Sequence, residues 1–221
     1  MKFFSLDPDV KVLLPDGSTR HLSAYLLPSA LLMGAALLLM ISMFLPYWSM
    51  RMNAPQYPNG LKVDVYVNHL AGDVSEIDAL NHYLGMPKLD EGGQLERSIS
   101  IFAIVVLGLL LMAGVFVHNQ WAGILACPVI LFPIAFVGDL WWILYRYGHS
   151  IDPSAPLGGA IKPFTPPVFG EGVVGQFSTI ARFEWGFYLA LAAAIVMLVG
   201  LWFHRAAYKP IVDARNQVKR Q

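Results

Sequence analysis

Cysteine is nearly absent. The chain has one, Cys127, so it can close no disulfide on itself and build no CxxC or cysteine-cluster metal site. Cys127 lies in an apolar run and reads as a small buried residue. Charge is scarce as well: Asp, Glu, Lys and Arg make up 14% of the 221 residues, where soluble domains carry about 25%. The formal net charge is zero, which removes the basic surface that a nucleic-acid partner requires. Zinc-finger spacing, a phosphate-binding loop and a dinucleotide fingerprint are missing. So are a nucleophile–base pair, a metal-hydrolase motif and paired carboxylates in a pocket-forming context, and the chain is read as non-enzymatic. No histidine pair falls inside the long apolar runs, which argues against a b-type haem between helices.

What the sequence does have is hydrophobic length. Apolar residues make up 56% of it and the mean hydropathy is +0.54. Four runs of about 20 residues, enough to cross a bilayer, stand at 25–47, 99–117, 122–145 and 183–203. The first is too long and too deep in the chain for a signal peptide, and no A-x-A cleavage site follows it. All six tryptophans fall near the ends of these runs, as in an interfacial aromatic belt. The tail 204–221 carries Arg205, Lys209, Arg215, Lys219 and Arg220. By the positive-inside rule this places the tail and the segment 1–24 in the cytoplasm, and the loops 48–98 and 146–182 outside. The expected fold is therefore an all-α integral membrane protein of the bacterial inner membrane. It has four transmembrane helices and a small α+β periplasmic cap formed by the two outer loops.

In the leading segment, Val10, Val12 and Leu14 alternate around Lys11 and Leu13, ahead of the turn signal Pro15-Asp16-Gly17. This predicts a hairpin, which needs a partner or the membrane surface to hold it, since a lone hairpin is marginal in water. In the first outer loop, Leu61, Val63, Val65 and Val67 alternate with polar residues and predict a half-buried strand. Ala71-Gly72-Asp73 breaks it. A helix follows, with Asp73 and Ser75 as competing N-caps and an apolar face of Val74, Ile77, Leu80 and Leu84. Gly85 ends it, ahead of Pro87.

On that helix Asp78, His82 and Met86 recur at four-residue spacing and share a face. Two readings stand. In one, His82 interacts with the helix dipole and Met86 fills space. In the other, Asp78 orients His82, which binds copper together with His69 and Met86. Met50 and Met52, just past the first span, either add soft thioether donors or fill gaps between helices.

Spans two and three are joined only by His118-Asn119-Gln120-Trp121, which predicts a tight antiparallel hairpin. Gly108, Ala113 and Gly114 on span two suit close helix approach. Pro128 and Pro133 are expected to kink span three. Asp139 is the one acid inside a span, and Arg146 and Arg182 are its expected counter-charges. The second outer loop is rich in glycine and proline. Its stretch Lys162-Pro163-Phe164-Thr165-Pro166-Pro167 favours an extended, polyproline-like strand suited to docking a partner. His149 and Asp152, at the start of that loop, stand where an approach to His82 is open. No internal repeat is visible, which weighs against an inverted-repeat transporter.

Three patches taken together carry a resemblance. They are Tyr57-Pro58-Asn59-Gly60-Leu61, Gly72-Asp73-Val74 with Asn81-His82-Tyr83-Leu84-Gly85-Met86, and Lys162 to Pro167. In these two loops the chain resembles small multi-span bacterial membrane proteins encoded near copper-enzyme assembly and electron-transfer genes, such as those around nitrous oxide reductase. The resemblance implies a copper-handling or docking role for His69, His82 and Met86, with Tyr83 among the docking residues. The lack of a cysteine ligand separates the chain from high-affinity Cu(I) carriers. The expected function is a non-catalytic accessory subunit or assembly factor of a larger respiratory, photosynthetic or copper-enzyme membrane complex, in contact with lipids. The alternative is copper handling at the periplasmic face.

Overall fold

A computed structural model describes residues 11–13, 19–118, 121–174 and 177–218. The chain is mostly helical. Four helices are long and apolar enough to cross a membrane: α1 (Ser23–Ser42), α3 (Gln94–Phe116), α4 (Trp121–His149) and α5 (Trp185–Val218). At 1.5 Å per residue even the shortest spans about 30 Å, the thickness of a hydrocarbon core. A shorter helix, α2 (Val74–Leu84), lies between α1 and α3. The described residues divide into two compact units, one of Met1–Leu39, Val106–Ile130 and Ala192–Gln221, the other of Met40–Val105 and Leu131–Leu191.

The first unit is all helical apart from a short strand pair. Leu32, Ala35 and Ala36 of α1 are buried, as are Ala193, Ala194 and Met197 of α5. Gly200 allows the close approach here: a Cβ at that position would lie 3.1 Å from the Leu31 Cβ. Gly114 does not play this part, since a Cβ there would meet nothing within 4 Å. Leu37, Leu109, Ile124 and Ile195 are exposed apolar residues on these helices, the inverse of a soluble surface. Cys127 is also exposed, which corrects its reading as a buried residue. Strand β1 (Lys11–Leu13) pairs antiparallel with β2 (Thr19–His21), Lys11 opposite His21. That is the hairpin read from the alternation; its turn, Pro15-Asp16-Gly17, lies outside the described residues.

The second unit is built on a five-stranded antiparallel sheet of order β5-β4-β3-β7-β6. From the α1–α3 connection come β3 (Trp48–Ala54), β4 (Tyr57–Val65) and β5 (Leu70–Gly72). From the α4–α5 connection come β6 (Gly170–Val174) and β7 (Phe177–Phe183). The central pair is β3 and β7, with Met50 opposite Ala181 and Met52 opposite Thr179. Because strand side chains alternate, Trp48, Met50 and Met52 share one face with Leu61, Val63, Thr179 and Ala181. This face is buried. Ile77 and Leu84 of α2 cluster with Met52, Leu61 and Val63, and Leu140 and Leu144 of α4 cluster with Trp48 and Ala181.

The helix boundaries differ from the apolar runs in instructive ways. α1 stops at Ser42 and the chain turns through Pro46, so Tyr47 is buried beside the sheet and not on the helix. Gly186 makes that turn possible, since a Cβ there would meet the Leu45 carbonyl at 2.6 Å. α4 continues unbroken past Pro128 and Pro133, and α5 continues past Pro210 to Val218.

Candidate functional site

The local folding of the α1–α3 connection follows its sequence closely. Asp73 is the N-cap residue of α2, but its side chain does not cap the helix. Its carboxylate accepts the Lys62 N–H at 2.8 Å and so ties the helix start to β4. Gly85 ends α2 in the left-handed region at φ 75°. A side chain there would also meet the Asp152 carbonyl, 2.4 Å from its Cβ. The close approach is real contact: the Asp152 N–H donates to the Gly85 carbonyl at 2.7 Å, and the Leu157 N–H donates to the Tyr83 carbonyl at 3.0 Å.

Between the buried face of the sheet, α2 and the facing parts of α3 and α4 lies a cavity of about 420 Å³. This is within the range of small-molecule sites. Its walls are apolar, with few polar groups. Met50, Met52 and Met86 all line it, so the structure does bring together the three methionines singled out from the sequence. It does not bring the histidines. His69 is exposed, stacked on Tyr66 at 4.3 Å, with Nδ1 2.8 Å from the Asn68 side-chain oxygen. His82 is exposed with its ring 6.1 Å from that of Tyr83. Asp78 does not orient His82 in the manner expected: its carboxylate accepts the Leu89 N–H at 2.7 Å. His149 turns back on its own helix, Nδ1 2.9 Å from the Tyr145 carbonyl oxygen. Among the described residues no group of three or more His, Cys, Asp or Glu is arranged to hold a metal.

The polar groups of the cavity are Tyr66, Asn81, Glu96, Arg97, Ser100, Asp139, Tyr147 and Thr179. Asp139 makes no hydrogen bond or ion pair among the described residues. The expected arginine partners are engaged elsewhere or apart: Arg182 lies 3.7 Å from Glu184, and Arg146 is exposed. Arg97 is held by Asp90 at 3.0 Å. Thr179 is 1% exposed and its hydroxyl has no partner among the described residues. Tyr147 donates its hydroxyl to the Lys88 carbonyl.

The stretch 162–167 is fastened from within. The Phe164 N–H donates to the Gly148 carbonyl at 3.1 Å, and the Trp48 indole N–H donates to the Val168 carbonyl at 2.6 Å. Pro166 is buried against the cavity and Phe164 and Pro167 are half-buried, whereas Lys162, Pro163 and Thr165 are exposed. Tyr83 is 57% exposed.

Sequence reasoning missed several of these residues. Trp48 was read as an interfacial anchor, yet it is buried and ties the start of β3 to Val168. Thr179 lies in a strand hidden by glycine-rich surroundings; the alternation Phe177, Thr179, Ala181, Phe183 was its signal. Just outside the apolar runs, two histidines that the sequence reading did not connect come together. His118, just past α3, and His204, inside α5, have ring centroids 5.4 Å apart. No protein-family model and no curated protein matches this chain, so its reading rests on its own geometry.

Proposed function

We propose that this chain is a non-catalytic accessory subunit or assembly factor of a larger energy-transducing bacterial membrane complex. In this reading the four long helices cross the inner membrane, both termini are cytoplasmic, and the sheet and α2 form a periplasmic cap. The observation that carries it is the fusion of both connections into one folded body. A shared sheet and the Trp48–Val168 hydrogen bond hold the stretch 162–167 down by Phe164 and Pro166. Tyr83, Lys162, Pro163 and Thr165 remain exposed. A surface pre-ordered in this way loses little entropy on binding, which favours a docking role over that of a linker.

The test is affinity capture of the full chain in mild detergent, with native gel sizing and mass spectrometry. The expected result is co-migration with subunits of a respiratory, photosynthetic or copper-enzyme complex, lost in a Tyr83→Glu/Lys162→Glu variant. Recovery as a lone species of unchanged size would overturn the proposal.

A second reading, copper handling, is favoured by one observation: Met50, Met52 and Met86 line a single apolar cavity, and thioethers are soft donors suited to Cu(I). His69 and His82 lie outside that cavity. Copper handling therefore predicts Cu(I) uptake that survives His69→Ala/His82→Ala and is lost in Met50→Leu/Met52→Leu/Met86→Leu. Uptake that is absent, or unchanged in the triple variant, would rule it out.

A further inference from the structure

The cavity of the second unit follows one face of α4. Phe132, Phe136, Asp139, Ile143 and Tyr147 line it at three- and four-residue spacing, a stripe about 22 Å long at 1.5 Å per residue. From α3 come Glu96, Arg97, Ser100 and Ala103. Asp139 therefore stands midway along the stripe, one turn from Phe136 and one from Ile143, inside a helix otherwise apolar enough to cross a membrane.

The polar groups of this cavity fall into two sets. Its donors are engaged by the protein itself. The Asn81 amide donates to the Pro87 carbonyl at 3.4 Å, the Ser100 hydroxyl to the Arg97 carbonyl at 3.0 Å, and the Tyr147 hydroxyl to the Lys88 carbonyl. Arg97, the one cation of the lining, is turned to the Asp90 carboxylate at 3.0 Å and to the Gly92 and Gly93 carbonyls at 3.0 and 3.4 Å. The acceptors are free. Among the described residues neither Glu96 nor Asp139 has a hydrogen bond or an ion pair. Thr179, 1% exposed, also lines the cavity with its hydroxyl unpartnered among the described residues.

A carboxylate among apolar side chains is costly unless a counter-charge reaches it. Here the protein supplies none, so the cavity asks for a cation from outside. A bare metal ion fits poorly. Two carboxylates fall short of the six to eight oxygens that a hard ion such as Ca²⁺ takes, and a hydrated ion gains nothing from apolar walls. An organic cation fits on both counts. Its apolar body fills about 420 Å³ of apolar space, and its charge meets Asp139. The rings of Trp48, Phe132, Phe136 and Tyr147 also line the cavity, and aromatic rings attract such cations.

We propose that this cavity binds a hydrophobic organic cation, an ammonium-type centre carried on apolar groups, with Asp139 as its counter-charge and Glu96 as a second acid. The site uses neither Tyr83 nor Lys162, so its failure leaves the accessory-subunit reading standing.

The experiment titrates the full chain in mild detergent with tetraphenylphosphonium, by equilibrium dialysis against protein-free micelles. Tetraphenylborate, of the same shape and opposite charge, is the control. The expected result is saturable binding of one tetraphenylphosphonium per chain and none of tetraphenylborate. Asp139→Asn should weaken it at least about tenfold, the factor that about 1.4 kcal/mol of lost attraction gives. Glu96 is exposed, so Glu96→Gln tests the charge without threatening the fold and should weaken binding several-fold. Mass spectrometry of what wild type carries and Asp139→Asn loses distinguishes a free amine from an amine-headed lipid, and either supports the site. Equal uptake of the two probe ions, no saturable binding, or binding unchanged in both variants would overturn the proposal.

Discussion

The Trp48 indole N–H donates to the Val168 carbonyl at 2.6 Å, joining residues 120 positions apart in the chain. Trp48 is 3% exposed. The bond fastens the lead-in to β6 onto the first residue of β3. Replacing the indole by a ring that cannot donate leaves that carbonyl without its partner. Trp48→Phe is expected to cost about 2–3 kcal/mol from the lost bond and lost volume. The check is thermal unfolding in detergent, with faster proteolysis at 162–168 as the local sign.

Gly148 lies near the C-terminal end of α4 beneath the stretch 162–167. A Cβ there would fall 1.8 Å from the Phe164 carbonyl oxygen, a contact that only backbone movement relieves. Gly148→Ala should therefore destabilise the chain by about 2–3 kcal/mol, although alanine is the better helix former. A neutral or stabilising outcome in chemical unfolding would contradict the seating of Phe164 over this helix.

Thr179 makes the opposite prediction. Its hydroxyl is buried without a partner among the described residues, so Thr179→Val removes a desolvated group and keeps the shape. The variant should unfold at an equal or higher temperature, by up to about 1 kcal/mol. A loss of similar size would mean that the hydroxyl is satisfied in solution, for instance by a bound molecule.

Asp78 and His82 separate two interpretations of α2. Asp78→Ala removes the acceptor of the Leu89 N–H and should cost about 1–2 kcal/mol. His82 is exposed, so His82→Ala should stay within about 0.5 kcal/mol of wild type. Reversal of that order in parallel unfolding curves would restore His82 as the residue that matters.

Asp152 supplies the pH dependence. The Ser154 hydroxyl and N–H both donate to its carboxylate, at 2.7 and 2.8 Å, and hold its pKa below the usual carboxylate value. A folded-state pKa lowered in this way contributes stability that is present above the unfolded value. The contribution is lost as pH falls through the folded one. Carboxyl NMR titration should show a depressed midpoint for Asp152 that moves up in Ser154→Ala.

How far the sequence reached depends on which signal each element carries. The long helices were legible because about 20 apolar residues in a row admit few other structures. β4 and α2 were legible from clean period-two and helical spacing at 61–67 and 74–84, and Gly85 ended α2 as its position suggested. β3 was hidden because Trp48, Met50 and Met52 continue the apolar composition of α1, so strand and span exit blend. β6 and β7 were hidden by Gly170, Gly172 and Gly175, which read as loop. The cavity methionines were picked out one by one, and their convergence on one site depends on a register between β3 and α2 that no local pattern encodes. The His118–His204 pair was invisible for the same reason: one partner stands just past α3 and the other lies on α5.

The antiparallel pairing of β3 with β7 has a topological consequence. Strands sharing one ladder must lie on the same side of any membrane their chain traverses. The chain between them must therefore cross an even number of times, and α3 and α4, both long and apolar enough to cross, match that parity. This parity is set by hydrogen bonds and does not depend on the balance of basic residues. Synthesis from the N-terminus also leaves one edge of β3 open until both crossings are complete and β7 arrives. If the proposed membrane reading holds, the sheet closes only on a chain whose two helices have inserted as a pair.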